Sequence, residues 1–456
     1  MSDKTKTLGG DLTTGPILPQ LIRFAIPFVI SNALQTVYAM VDMIVVGQFC
    51  NSAGVTAVSI GGQITWLLTA LAVGFSSGAQ VVIAQLMGIH DQQGIRRTIG
   101  TVFTAITVLA LLLTGVGIGF AKPLISIMNT PEEAVSDALS YLIICSAGMF
   151  FIYGYNVVSA ILRGMGDSKR PLYFIAIASI SNLVLDLLFV AGLHWGTAGA
   201  AAATVIGQAI SFIVSLVYLY RCRDSFGFDF RLKSFAVDME KLKLLLKIGL
   251  PMALQMSAIN VSFMFITAYV NTYGLTSATL FSIGNRISNL AFIVTGSMQT
   301  AGATLVGQNY SAGKLDRIRS FFWIDTAICS VFLLLLCILV VAVPRWLFGW
   351  FTNDEAVLAM APSYSWVLVC FFVTFATMNA SMAIITGQGY AFLNFVIAMM
   401  DGVVGRIALS LVLAYVFDFG LYGLFWGNAL AGFISVIWGD IYYFSGRWKR
   451  RKALVA

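Results

Sequence analysis

The stretch FAIPFVISNALQTVYAMVDMIVV, residues 24–46, is apolar except for a proline, a few uncharged polar residues and one charge, Asp42. It is long enough to cross a bilayer, for which a helix needs roughly 20 apolar residues. An ionised carboxylate at the centre of such a helix costs about 2.5–3.5 kcal/mol. The fold must therefore give Asp42 surroundings other than lipid.

The whole chain repeats the character of this stretch. Its 456 residues are 59% hydrophobic and only 10% charged, with 42 glycines and 9 prolines. A soluble domain carries about 25% charged residues, so the chain reads as a polytopic membrane protein. Twelve apolar runs are predicted to span, at 20–48, 54–84, 97–121, 136–162, 170–193, 197–221, 244–273, 277–307, 318–343, 357–386, 391–416 and 420–445. The first is too long for the apolar core of a cleavable leader and reads as the first span.

Lysine and arginine set the orientation. Of the 27, all but Lys122, Arg345, Arg286 and Arg406 lie in the amino-terminal segment, the even-numbered connections or the carboxyl tail. Positive residues stay cytoplasmic, so both termini are expected there. The net charge of +7 then follows from topology and contact with anionic lipid, and nucleic acid is not an expected partner. Six cysteines without CxxC spacing and only two histidines, His90 and His194, give no metal constellation. No cofactor is expected. GMGDSK, residues 164–169, resembles neither a phosphate-binding loop nor a hydrolase elbow, so no enzyme is expected.

The chain repeats at about 223 residues. Pro27 pairs with Pro251, SIG at 59–61 with SIG at 282–284, Gln85 with Gln308, Pro123 with Pro344, EAV at 133–135 with EAV at 355–357, and GMG at 164–166 with GQG at 387–389. Six pairs in unbroken order imply duplication. Six spans per half make the halves parallel repeats, as in transporters that rock two bundles about a central site. The predicted architecture is an all-α integral membrane protein of two six-helix lobes around a central cleft. Its parts are a cytoplasmic tail (1–15), an N-lobe (16–221), a charged linker (222–243), a C-lobe (244–445) and a basic tail (446–456).

Polar residues inside the spans fall on stripes. Ser31, Asn32, Gln35, Tyr38 and Asp42 lie within about 120° on the first helix. Ser179, Asn182 and Asp186 share roughly 60° of the fifth, and Thr197, Thr204, Gln208, Ser211 and Ser215 a similar arc of the sixth. The sixth also carries the small-residue run GTAGAAAATVIG, which lets helices approach closely. These stripes are expected to meet inside the first lobe. The repeat places Ile266, Gly405 and Leu409 where the first lobe has Asp42, Asn182 and Asp186, so the fold itself does not need the acids. Two carboxylates in a weakly polar cavity cannot cheaply both ionise, which suits a proton carrier. The same oxygens with Asn182 and a threonine hydroxyl could equally hold Na⁺.

The second lobe carries a polar line on its eighth helix: Thr279, Ser282, Arg286, Asn289, Ser297, Thr300 and Thr304. Three acids (Asp42, Asp186, Asp401) and two bases (Arg286, Arg406) are counted within spans. Asp401 and Arg406 are about 140° apart on an ideal helix and are not expected to share a face. Arg406 is expected to snorkel toward an interface, and an Arg286–Asp401 pair is one arrangement the sequence allows. Structural roles are expected for Asp401 and Arg406. Met40, Met43, Met252, Met256 and Met264 on the first and seventh helices would suit a cleft for bulky apolar cations.

GPILPQLIRFAIPFVISNALQTVYAMVDMIVVGQF, AILRGMGDSKRPL, NLVLD and GQNYSAGKLDR resemble the multidrug and toxic compound extrusion (MATE) transporters, over about residues 8–445. The acid of the first span together with NLVLD resembles the prokaryotic DinF-like branch. The resemblance implies a secondary active multidrug efflux transporter that exchanges amphipathic, often cationic compounds for H⁺ or Na⁺. It assigns cation coupling to Asp42, Asn182, Asp186 and Thr204. The substrate-cleft candidates are Asn32, Gln35, Tyr38, Met40, Gln208, Met256 and Arg286, and Pro27 is a candidate hinge. Small organic molecules and membrane lipids are the expected partners, the chain a monomer in the inner (plasma) membrane. The alternative is a flippase or exporter of a lipid-linked or other endogenous metabolite.

Overall fold

The computed structural model describes residues 10–128 and 130–455. Residues 1–9 of the expected N-terminal tail, with Lys4 and Lys6, lie outside the described residues, as do Asn129 and Ala456. Among the described residues there is no strand. The chain is a succession of helices: α1 (Ile17–Phe49), α2 (Ser52–Gly88), α3 (Gln92–Gly119), α4 (Glu132–Ala147 and Met149–Gly164), α5 (Lys169–Gly192), α6 (Gly196–Arg221), α7 (Met239–Asn271), α8 (Leu275–Ser311), α9 (Leu315–Ala342), α10 (Glu355–Gly387), α11 (Ala391–Val416) and α12 (Gly420–Phe444). Eleven are long and apolar enough to cross a membrane, and α4 makes a twelfth when its two bent halves count as one span.

The bend in α4 is 49°, where the sequence predicts an unbroken span. It falls at Gly148, whose missing Cβ leaves room for Val205 of α6; a Cβ there would stand 2.4 Å from that side chain. The repeat puts Phe371 at the equivalent place in α10, which is continuous.

Two compact units emerge. One holds Ile26–Ala253 with a stretch ending at Leu12; the other holds Thr13–Ala25 and the chain from Leu254 onward. Beyond the division after Leu12, the boundaries fall inside α1 and α7, beside Pro27 and Pro251. Within the first unit the early turns of α7 pack tightly on α2: a Cβ on Gly74 would lie 2.5 Å from the Ala253 nitrogen, and one on Gly78 3.0 Å from that of Gly249.

The segment after α6 is docked rather than free. Thr104 donates to the Phe235 carbonyl at 2.6 Å, and the Asp238 amide donates to Thr101 at 3.0 Å. Phe226 and Phe228 are buried, and Phe228 meets Phe103, Phe230 and Phe235 edge-on or tilted. The tail after α12 does the same in the second unit. Trp448 is buried and stacks on Tyr443, while its carbonyl accepts from Gln388 at 2.8 Å and Tyr310 at 3.1 Å. Each half thus covers its own end with aromatic residues from the segment that follows its sixth span.

Candidate functional site

In the first unit α5 and α6 cross closely at Gly207. A Cβ there would lie 3.0 Å from the Ala178 carbonyl and 3.2 Å from Asn182 Cβ, so the small residue sets the approach. That approach presents Asn182 to Thr204: Asn182 Nδ2 donates to Thr204 Oγ1 at 3.3 Å. The Tyr38 hydroxyl of α1 lies 3.4 Å from the same oxygen. One threonine hydroxyl therefore joins three helices.

One turn beyond Asn182 stands Asp186, 1% exposed. The carboxyl of Asp42 is its neighbour, and Tyr38 lies close to both. Asp186 and Asp42 Oδ1 have no conventional donor within bonding geometry; the two carboxyls instead face one another, with Asn182 beside Asp186. Ser179 Oγ and Gln208 Oε1 are also buried without a partner. The predicted stripes do meet, and they leave several unpaired acceptor oxygens. A buried polar atom without a partner costs about 1–3 kcal/mol, and a polar or charged group bound here would relieve that cost. A proton or a hard cation fits a set made of carboxylate, amide and hydroxyl oxygens.

Two members of this cluster were missed in the sequence. Tyr141 and Cys145, from the first half of α4, interact with each other and with Asp42. They also belong to an apolar group with Val45, Val46, Val58, Val190, Ala200 and Ala201. Directly after Asp186 the helix widens into a π-turn, Leu187–Gly192.

The cleft candidates scatter. Tyr38 belongs to the acidic cluster. Gln35 is exposed and Asn32 half-buried on α1, and Met40 is 49% exposed. Met256, 37% exposed, and Arg286 belong to the second unit and to no part of the acidic cluster. Arg286 lines a separate cavity of about 740 Å³ with Asn271, Asn285, Asn289 and Thr352 among others.

The second unit contrasts with the first. Ile266, the counterpart of Asp42, is fully buried among Val270, Phe281 and Phe425. Asp401 and Arg406 do share a face, contrary to expectation: Arg406 Nη2 donates to Asp401 Oδ1 at 3.3 Å. The intervening Met399–Gly405 is a π-turn, which takes more residues per revolution than an α-helix and brings positions five apart together. Arg406 is 5% exposed and does not snorkel; its guanidinium lies 4.1 Å from the centre of the Phe263 ring. Asp401 is committed to Arg406 and to Ser435, at 2.6 Å, so the Arg286–Asp401 pair does not form. Three intramembrane acids is too few: Asp440 in α12 accepts from Ser381, and Asp325 in α9 is fully buried with no partner for either oxygen.

Two repeated six-helix bundles of apolar spans, the first with a pair of facing carboxyls that the second does not repeat, define a membrane transporter built from parallel repeats. The family model MatE matches residues 27–188 and 251–416, one match in each half, and the chain belongs to that family of multidrug efflux transporters. It is 29% identical to a probable multidrug resistance protein, YpnP, of Bacillus subtilis over 97% of this chain and 98% of that one. It is 22% identical to the multidrug export protein MepA of Staphylococcus haemolyticus, over 92% and 89%. An outward-facing structure of a multidrug resistance MATE transporter superposes with a TM-score of 0.89 at 23% identity, over 99% of this chain and 100% of that one.

Proposed function

We propose that the protein exports amphipathic organic compounds from the cytoplasm across the plasma membrane, in exchange for H⁺ or Na⁺ taken up at Asp42 and Asp186. The observation that carries this reading is the buried Asp186 facing the carboxyl of Asp42, beside the Asn182–Thr204–Tyr38 chain. An entering cation satisfies these oxygens; its departure leaves them costly. A ligand shifts an equilibrium only by its differential affinity for the two states, and this site is built to provide such a difference. The relatives named above, called multidrug resistance or export proteins, support the substrate class. The lysine and arginine distribution supports cytoplasmic termini.

The mechanical part of the reading rests on α1 and α7. Each passes from one compact unit to the other beside a proline, Pro27 and Pro251. Proline withholds an N–H and weakens the helix locally, so these joints are where the units would reorient. Asp42 lies fifteen residues beyond Pro27, about 22 Å along the helix, so the ion acts on the joint through α1 rather than by contact.

The test is Asp42→Asn in everted vesicles, with ΔpH and ΔNa⁺ imposed separately. Gradient-driven dye efflux should be abolished while the protein remains folded. Unchanged efflux under both gradients overturns the coupling assignment.

A further inference from the structure

The second unit holds its own polar cavity, and its chemistry is opposite to that of the acidic site. Its volume of about 740 Å³ is within the usual range for small-molecule sites. Arg286 provides the cation. Asn271, Asn285, Asn289, Thr267 and Thr352 supply amide and hydroxyl donors, and Phe351 is an apolar wall. No aspartate or glutamate lines it. Among the described residues, Arg286 has neither an ion pair nor a hydrogen bond, although its side chain is accessible. The acid nearest in sequence to the lining, Asp354, already caps α10 by accepting from the Ala356 amide at 2.9 Å.

The fold does not require this cation. The repeated SIG motif sets the register: SIGGQITW at 59–66 in the first half matches SIGNRISN at 282–289 in the second. Gly62, Gln63 and Trp66 therefore stand where the second half has Asn285, Arg286 and Asn289. Arg286 is eleven residues into α8, about 16 Å along it, deep enough that a charge facing lipid would cost a few kcal/mol. An unpaired, accessible arginine at such depth marks a ligand pathway by default.

We propose that this cavity is a subsite for an anionic group on the exported compound, a carboxylate or a comparable oxyanion, held by the Arg286 fork and the surrounding amides. Guanidinium matches a carboxylate with two parallel hydrogen bonds, and Phe351, 40% exposed, flanks the attached apolar body. The substrates it selects are amphiphilic anions and zwitterions rather than simple cations. This inference deepens the export reading above and rests on it.

The test uses the full-length chain and two dyes that share one cationic ring system and differ in a single carboxylate: rhodamine B and its ethyl ester. Binding is measured by equilibrium dialysis, and export in proteoliposomes. The wild-type protein should bind the acid more tightly than the ester. Arg286→Gln should weaken binding of the acid by about tenfold or more, as expected for a lost charged hydrogen bond, and leave the ester within about twofold. Arg286→Lys should retain part of the preference, since it keeps the charge but not the fork. Asn289→Leu, which leaves the arginine in place, should weaken the acid by a smaller factor. Equal wild-type affinity for the two dyes, or a parallel loss of both in Arg286→Gln, overturns the subsite. Failure to export the ester under any gradient counts against the export reading instead, and a preference for the acid in dialysis would still support the subsite.

Discussion

Arg406 Nη2 stands 3.3 Å from Asp401 Oδ1, five residues away in the same helix. The contact exists because Met399–Gly405 is wound as a π-turn. The first unit has its π-turn one segment later, at Leu187–Gly192, matched in the second by Val412–Val416. The additional π-turn in α11 is peculiar to the second half, as is the pair it makes.

Removing one member of a buried pair leaves the other charge uncompensated, at about 3–5 kcal/mol, whereas replacing both with apolar groups is often neutral. Asp401→Leu and Arg406→Met are each expected to lower the thermal midpoint sharply. The double variant should recover most of the loss and retain dye efflux. A double variant as unstable as the singles would show that Ser435 or Phe263, not the pair, holds this part of α11.

Thr204 offers a finer probe of the acidic site than the acids themselves. Its hydroxyl accepts from Asn182 and meets Tyr38, so Thr204→Val cuts the link between three helices without altering charge. A neutral hydrogen bond is worth about 0.5–1.5 kcal/mol. Ion affinity, read from the gradient dependence of efflux, should fall by about three- to tenfold, with the pH profile otherwise intact. Thr204→Ser should restore it.

How far the sequence carried this picture depends on periodicity. The repeat and the spans follow from long apolar runs and from motifs at a nearly fixed offset, and the family matches in the two halves begin close to that offset, at residues 27 and 251. The meeting of Asp42, Asn182, Asp186 and Thr204 was legible because α5 and α6 are regular up to Asp186. The Asp401–Arg406 pair was not, because 100° per residue fails across a π-turn. Tyr141 and Cys145 were hidden by the bend at Gly148, which turns α4. Asp325 was legible and missed: FFWIDTAICS, residues 321–330, carries the same signal as the stretch around Asp42, a lone acid among apolar residues.

Asp229 gives a pH-dependent readout outside the membrane. Its carboxylate accepts from the Ser234 hydroxyl and the Arg231 amide, and the Ser234 bond leads in holding it below the usual carboxylate range. A carboxyl lowered by folding favours the docked segment above its ordinary value, and that contribution disappears as pH falls through the lowered one. Protection of amides in 226–238, corrected for intrinsic exchange, should therefore decline below about pH 4. Asp229→Asn should remove the pH dependence.

Asp325 is the most exacting case. Phe321, one turn earlier on α9, presses on Gly302 of α8, where a Cβ would stand 2.3 Å from its ring and 3.0 Å from Ala383 of α10. Asp325 thus sits beside a tight three-helix junction, fully buried, with Cys329 one turn on and no partner for either oxygen. Burying an unpaired polar group costs about 1–3 kcal/mol, and an apolar group of similar shape avoids that cost. Asp325→Val should therefore raise the thermal midpoint by the equivalent of about 1–3 kcal/mol, with dye efflux unchanged. Asp325→Asn, which keeps a buried amide, should gain little. A loss of stability in the valine variant would mean that the carboxyl is satisfied in the membrane by a partner; efflux lost from a stabilised protein would make Asp325 a third ion-carrying residue, in the half of the molecule where Ile266 and Leu409 replace the first two.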